Sequence, residues 1–105
     1  MASGTKSVGG GRMSRATNGG AGITSMKLLD LLESQGFRCA LTNRPLTPDV
    51  ASLDHKQPLS RGGSNDISNA QIVHYDVNMA KRAMTSEEFI SLCREVVAVA
   101  DAKNG

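Results

Sequence analysis

The segment from residue 53 to residue 81 carries side chains that could perform phosphodiester chemistry, among them Asp54, His55, Asn69 and Asn78. The carboxylate of Asp54 and the amide oxygen of Asn78 are hard donors that suit a divalent metal ion, with water and a phosphate oxygen completing its shell. A neutral imidazole beside such an ion can accept a proton from an attacking water, because imidazoles titrate near neutral pH. The metal would neutralise charge on the phosphate and on the departing oxygen. This pattern predicts metal-assisted hydrolysis if the fold brings the side chains together.

The same residues also have a less specific interpretation. An Asp at a strand end beside an ordinary His, and an Asn on a helix surface, need have no catalytic role. Asp54 and His55 alone would favour this interpretation, whereas Asn69 and Asn78 in the same segment favour a site.

Short secondary-structure elements must position these residues. Leucines spaced three and four apart predict a helix over 24–36, with a Ser or Thr cap at its start and Gly36 at its end. Further along we predict a strand-like piece (37–41), a turn (42–45), a strand (50–53), a loop (58–69), a second strand (70–74) and a helix (75–83). A strand–loop–strand–helix unit of this length would fold Asn78 back toward Asp54 and His55.

A last helix is predicted over 86–103. Thr85 and Glu88 form a capping box, in which each side chain satisfies a backbone N–H near the other residue. Apolar side chains then recur at three- and four-residue spacing, which predicts a stripe facing the core: Phe89, Leu92, Cys93, Val96 and Val99.

Composition limits the class of protein. The chain has 105 residues with 12 Lys and Arg against 10 Asp and Glu, which is room for one small domain without a strong polycationic field. Its apolar runs are short, so we expect neither a transmembrane helix nor a signal peptide. Two cysteines cannot build a disulfide framework, which favours a reducing, cytoplasmic setting. Three aromatic residues are too few for a platform that stacks single-stranded bases.

The N-terminal segment differs from the rest of the chain. Residues 1–29 contain four basic and no acidic side chains, and residues 1–23 hold seven of the eleven glycines. Such a segment buries too little surface to offset its ordering entropy, so we predict a disordered arm over 1–23 and a single folded domain over 24–105. The arm is either a solvated tail or a basic arm that contacts nucleic-acid phosphates, and composition does not separate the two.

Residues 34–84 resemble the HNH endonuclease, or ββα-metal, family. The features that follow the order and spacing of the family are the Asp54-His55 pair, Pro58, Ser60-Arg61-Gly62-Gly63, Asn65-Asp66, Asn69 and Asn78-x-x-Lys81. The resemblance implies an α+β fold with a ββα-metal core, made of a short antiparallel hairpin plus a helix and flanked by an N-terminal and a C-terminal helix.

The resemblance also implies roles for individual residues. His55 would be the general base, and Asp54 and Asn78 would be the metal ligands. Asn69 would orient the loop and the backbone of His55 by hydrogen bonds rather than react. Asn78 stands where many members carry His, which favours one hard ion, Mg²⁺ or alternatively Mn²⁺, over zinc at this site.

The chain departs from the family at the positions of a structural zinc. Many members bind zinc through two Cys-x-x-Cys pairs, whereas here the four positions are Cys39, Thr42, His74 and Val77. One thiol and one imidazole do not close a zinc site, so we expect no structural zinc and a fold held by packing of the flanking helices. Independently of the resemblance, His74 is expected to be a packed or hydrogen-bonded residue, and Cys39 and Cys93 to be core residues.

Four cations bracket the candidate site: Lys56, Arg61, Lys81 and Arg82. They either form a solvated face or contact the phosphates of double-stranded DNA, which would position the duplex while reading little sequence. The favoured hypothesis is a metal-dependent DNA endonuclease of low sequence specificity, in a bacterial or phage-infected cell. The alternative is a non-catalytic DNA-binding module that keeps the HNH fold. A structural, RNA-associated role is a third and less favoured option. The biological role stays open among phage packaging, restriction, homing and host-DNA degradation.

Overall fold

The computed structural model describes residues 22–104. The predicted arm therefore lies outside the described residues, apart from its last two positions. Ile23 is one of them, and its side chain is fully buried in the core. The folded unit thus begins before residue 24, earlier than predicted.

The structure is α+β, as predicted. Its elements are α1 (Ser25–Ser34), β1 (Ala51–His55), β2 (Ala70–His74), α2 (Tyr75–Lys81) and α3 (Ser86–Asn104), with short 3₁₀ turns at Leu59–Arg61 and Ile67–Asn69. β1 and β2 pair antiparallel, with Asp54 opposite Gln71 and His55 opposite Ala70. The hairpin is followed directly by α2, so the strand–loop–strand–helix order expected for the site is present.

Helix α1 begins where its cap was predicted, since Lys27 N–H donates to the Thr24 hydroxyl. The helix ends at Ser34, and Gly36 follows with a positive φ of 65°. Just before that glycine, the Gln35 side chain donates to the Ile72 carbonyl and accepts from the Ile72 N–H. One amide side chain thereby bonds the outer edge of β2 as a neighbouring strand would.

The strand-like piece predicted at 37–41 is not a strand. It forms an isolated bridge between Arg38 and Pro45, and Ala40 N–H donates a single hydrogen bond to the Ile72 carbonyl of β2. Phe37 and Asn43 both adopt positive φ, so the backbone turns twice within seven residues. These turns leave no extended run long enough to pair with β2.

The other elements follow the predictions closely, with shifted ends. β2 has the predicted bounds, whereas β1 is displaced and includes Asp54 and His55 as its last two residues. α2 ends at Lys81, two residues early, because Arg82 leaves the helical conformation with φ of 53° and ψ of −124°. The core is formed by residues from α1, the hairpin, α2 and the connecting segments: Ile23, Leu28, Cys39, Leu46, Ala51, Ala70, Ile72, Val73 and Val77.

The predicted core stripe of α3 is wrong. No residue of α3 is buried, Val96 is 61% exposed, Cys93 is exposed, and only Phe89 packs against the core. The side of α3 that turns toward Leu41 and Val77 lines a groove of about 640 Å³ instead of closing on them. α1 therefore contributes packing to the core, while α3 is attached mainly through its first turn. No helix in the described part of the chain could span a membrane.

Candidate active site

Asp54 lies at the seam between β1 and α2, which is formed by Ser52, Asp54, Asn78 and Lys81. Its side chain is 5% exposed, and both carboxylate oxygens accept hydrogen bonds. The Lys81 ammonium donates to Oδ1 at 3.1 Å, and Gln71 Nε2 donates to Oδ2 at 2.8 Å. The strand register explains the second contact, since Gln71 is the cross-strand partner of Asp54.

Lys81 is fully buried at the end of α2. Besides Asp54, its ammonium donates to the backbone carbonyl of His55 at 3.1 Å. The expectation that Lys81 contacts DNA phosphates is therefore wrong, because a buried ammonium with two acceptors faces the protein and not the solvent. Its long side chain instead ties α2 to the end of β1.

Asn78 reaches the same seam from one turn earlier on α2. Its Nδ2 donates to the Ser52 hydroxyl at 3.0 Å, and its Oδ1 accepts no hydrogen bond from residues 22–104. Ser52 and Asp54 are two residues apart on β1, so their side chains leave the strand on the same face. The structure thus brings the two predicted metal ligands, Asp54 and Asn78, to one seam.

His55 is the last residue of β1, and its ring is directed toward the following loop. Nε2 lies 2.8 Å from Asn65 Oδ1. Because a carbonyl oxygen only accepts, Nε2 carries the hydrogen, and Nδ1 of the neutral ring keeps its lone pair. Nδ1 has no hydrogen-bond partner within the described ranges. Since side chains alternate along a strand, His55 leaves β1 on the side opposite to Asp54 and borders the seam at the strand end.

Asn69 holds the loop between the two strands. Its Nδ2 donates to the carbonyls of Gln57 and Ser64, at 2.9 and 2.8 Å, and its Oδ1 accepts from Gln57 N–H at 3.0 Å. Asn69 therefore positions loop backbone, but it does not bond the backbone of His55 as expected. The carbonyl of His55 is bonded by Lys81 instead.

The glycine pair of the loop allows a close backbone approach. A Cβ at Gly63 would lie 1.9 Å from the carbonyl oxygen of Gln57, whereas Gly62 has open space around it and a φ of 88°. Gly63 N–H also donates to the Pro58 carbonyl. The loop after His55 thus folds back on itself where only glycine fits.

The remaining predicted cations differ in their surroundings. Arg61 forms two hydrogen bonds with the Glu88 carboxylate, at 2.5 and 3.1 Å, joining the loop to the first turn of α3. The Arg61 guanidinium lowers the pKa of Glu88 to about 2, with help from the Thr85 backbone N–H. Lys56 and Arg82 are exposed and have no carboxylate within salt-bridge distance in residues 22–104. These two are the predicted cations available to a phosphate.

The four positions at which many HNH endonucleases bind a structural zinc hold a different set of side chains here: Cys39, Thr42, His74 and Val77. Burial acts to raise the pKa of the Cys39 thiol, but hydrogen bonds from Thr42 and from the backbone of His74 outweigh it and lower the pKa. His74 Nδ1 accepts from Asp76 N–H and so caps α2, which agrees with the expected packed role. Val77 is a buried core residue. In the described part of the chain, no three His, Cys, Asp or Glu side chains form a group that could hold a metal ion.

Sequence reasoning missed the neutral side chains that hold the site. Asn65 fixes the ring of His55, Ser52 binds Asn78, and Gln71 joins Asp54 to the Ser86 hydroxyl at the start of α3. For Gln71 a signal was present, since an amide between apolar residues of a short buried strand requires a hydrogen-bond partner. Asn65 belongs to the Asn65-Asp66 pair that follows the family pattern, but no role was predicted for it, and Ser52 carries no signal in the sequence.

A scan of protein-family models finds no match to this chain, and a search of curated proteins finds none either.

Proposed function

We propose that this chain is a metal-dependent DNA endonuclease of the HNH type, in which His55 activates the attacking water. The observation that carries this proposal is the state of His55. Its Nε2 hydrogen is directed to the Asn65 carbonyl, and the lone pair of its Nδ1 accepts no hydrogen bond from residues 22–104. A half-buried imidazole fixed in one tautomer, on the residue that directly follows the proposed carboxylate ligand, is suited to act as a general base for hydrolysis.

The donor set of the seam fits a hard divalent ion. A carboxylate has room for about four hydrogen-bond or metal contacts, and the bonds from Lys81 and Gln71 leave part of that room on Asp54. Asn78 Oδ1 is an amide oxygen without a partner in the described part of the chain. Asp54 and Asn78 would therefore hold Mg²⁺ or Mn²⁺, and such an ion would neutralise charge on the phosphate when bound.

The residues of the chain would divide the remaining work. His55 Nδ1 would take the proton of the water, and Asn65 would keep the ring in the productive tautomer. Asn69 and Gly63 would hold the loop that carries Asn65. Lys56 and Arg82 would contact phosphates of the duplex, which gives affinity without reading bases.

The free cysteines fit a reducing compartment, so we propose a cytoplasmic location in a bacterial or phage-infected cell.

One observation favours the second candidate, a DNA-binding module without activity. Lys81 neutralises Asp54, the only charged ligand of the proposed metal site. If that pair never opens to a metal ion, the fold would bind DNA without cleaving it.

Plasmid nicking separates the two candidates. Supercoiled DNA is incubated with the protein in Mg²⁺ or Mn²⁺, alongside His55→Ala and the matched control His74→Ala, which removes a helix cap but no site atom. We expect His55→Ala to lower the rate about 10²–10⁴-fold and His74→Ala to stay within a few-fold of wild type.

Two results would contradict the proposal. Nicking by His55→Ala at the wild-type rate would exclude the assigned base. DNA binding by a folded wild-type protein that never nicks with either metal would favour the non-catalytic module.

A further inference from the structure

We infer that the free protein binds a divalent ion only weakly and that the ion enters the seam together with a nucleic-acid phosphate. This inference rests on the proposed function, because it concerns the same metal site. It starts from the charge of the seam, in which the carboxylate of Asp54 and the ammonium of Lys81 lie 3.1 Å apart and cancel.

Besides Asp54, no charge within the seam compensates for Lys81. Glu88 also interacts electrostatically with Lys81, but its carboxylate lies outside the seam and is paired with Arg61. The remaining side chains that line the seam or bond to Asp54 are Ser52, Gln71 and Asn78, and all three are neutral. Within residues 22–104, no further acidic group, His or Cys joins Asp54 in a metal-binding cluster. The protein therefore offers oxygen atoms to a cation but no net negative charge.

A dication placed at such a site would be poorly compensated. Transfer of an ion from water into a buried position costs free energy unless opposite charge accompanies it. A phosphate of the bound nucleic acid supplies that charge, and Mg²⁺ ordinarily keeps substrate phosphates among its ligands. Metal and nucleic acid should therefore bind with positive coupling, each raising the affinity for the other by the same factor.

The experiment titrates Mn²⁺ by its electron paramagnetic resonance signal, with the His55→Ala protein so that cleavage is negligible during the measurement. Binding is measured alone and with a short DNA duplex. Asp54→Asn, added to His55→Ala, is the matched control that subtracts Mn²⁺ held by the DNA itself. We expect the Asp54-dependent Mn²⁺ affinity to rise at least about tenfold when DNA is present, within the usual range of coupling between sites.

A second variant tests the cause. Lys81→Met removes the opposing charge and should raise the Mn²⁺ affinity of the DNA-free protein by about tenfold or more, since like charges at this range interact strongly away from water. If Lys81→Met does not fold, the Asp54-dependent Mn²⁺ affinities measured with and without DNA still test the inference.

The outcomes separate this inference from the proposed function. Tight Mn²⁺ binding without DNA that Asp54→Asn abolishes would overturn the inference and leave the nuclease proposal intact. Absence of any Asp54-dependent Mn²⁺ binding, with or without DNA, would overturn the metal site of the proposed function as well.

Discussion

The ammonium of Lys81 and the carboxylate of Asp54 lie 3.1 Å apart, and both side chains are buried. The same ammonium bonds the carbonyl of His55. One side chain from α2 therefore fixes both the proposed metal ligand and the backbone of the proposed base. The candidate site is built around this buried ion pair. A substitution in the pair should therefore change both the stability of the fold and the proposed chemistry of the site.

Removing one charge of this ion pair should lower the free energy of unfolding far more, per charge removed, than removing both charges together. Asp54→Asn leaves a buried ammonium without its carboxylate, and Lys81→Met leaves a buried carboxylate, so each should lower the free energy of unfolding by about 3–5 kcal/mol. The double variant leaves neither charge and should lose clearly less than the sum of the two. Urea unfolding of the four proteins measures this, and additive losses would contradict the assigned pair.

The two glycines of the loop should respond differently to the same substitution. Gly62→Ala has space for the new methyl group and should cost only the penalty of a positive φ, about 1–2 kcal/mol. Gly63→Ala should cost more, because its Cβ would lie 1.9 Å from the backbone carbonyl of Gln57 and the loop must move. Urea unfolding compares the two variants. Equal losses would mean that the loop does not approach Gly63 so closely.

The contact between the loop and α3 should weaken in acid. The pKa of Glu88 is lowered from 4.5 to about 2 by Arg61, so this pair stabilises the fold above about pH 4.5 and loses that contribution as the pH falls toward 2. Glu88→Gln removes the charge but keeps a residue suited to the capping box. The difference in free energy of unfolding between wild type and Glu88→Gln should therefore shrink from pH 5 to pH 2. A difference independent of pH would show that Arg61 does not act through this charge.

DNA affinity should depend on the two exposed cations near the site. Lys56→Ala and Arg82→Ala should each make the slope of log K against log salt shallower by about 1, if each residue neutralises one phosphate. Lys103→Ala, at the far end of α3, is the matched control and should leave the slope unchanged.

Deletion of residues 1–21, which keeps the buried Ile23, should also make the slope of log K against log salt shallower, without abolishing cleavage.

Mapped cuts report on the same binding mode. They should scatter over many sequences, because phosphate contacts do not identify bases. Cleavage at one long site, or affinity indifferent to salt, would show that base readout dominates.

Removal of metal should leave the fold intact. Thr42 and Val77 stand at two of the four positions where many HNH endonucleases carry zinc ligands, and neither side chain offers a thiolate or an imidazole, so folding free energy should not come from a zinc cage. Elemental analysis of the purified protein should find no stoichiometric zinc, and a chelator should leave the unfolding midpoint unchanged. Cys39→Ser is the control, since it should lower stability equally with and without chelator. Zinc that is lost together with the fold would contradict this prediction.

Local signals in the sequence were sufficient for two helix caps and for the bounds of β2, but not for the segment 37–41, which was predicted to be strand-like. The Thr24 cap of α1 and the pair between Thr85 and Glu88 are present in the structure, and β2 has the predicted bounds at Ala70–His74. These features depend on residues three or four apart or on one run of apolar side chains. Because their interactions are satisfied within a few residues, their pattern is visible before the chain folds.

Tertiary structure alone decided which charges meet and which apolar faces are covered. Lys81 and Asp54 are 27 residues apart, and only the packing of α2 on β1 turns a predicted phosphate contact into a buried ion pair. Likewise, the stripe that includes Leu92 and Val96 has the spacing of a core-facing helix, yet the structure leaves both side chains exposed. Spacing determines which side chains of a helix share a face, but whether a surface lies opposite that face depends on the arrangement of the whole chain.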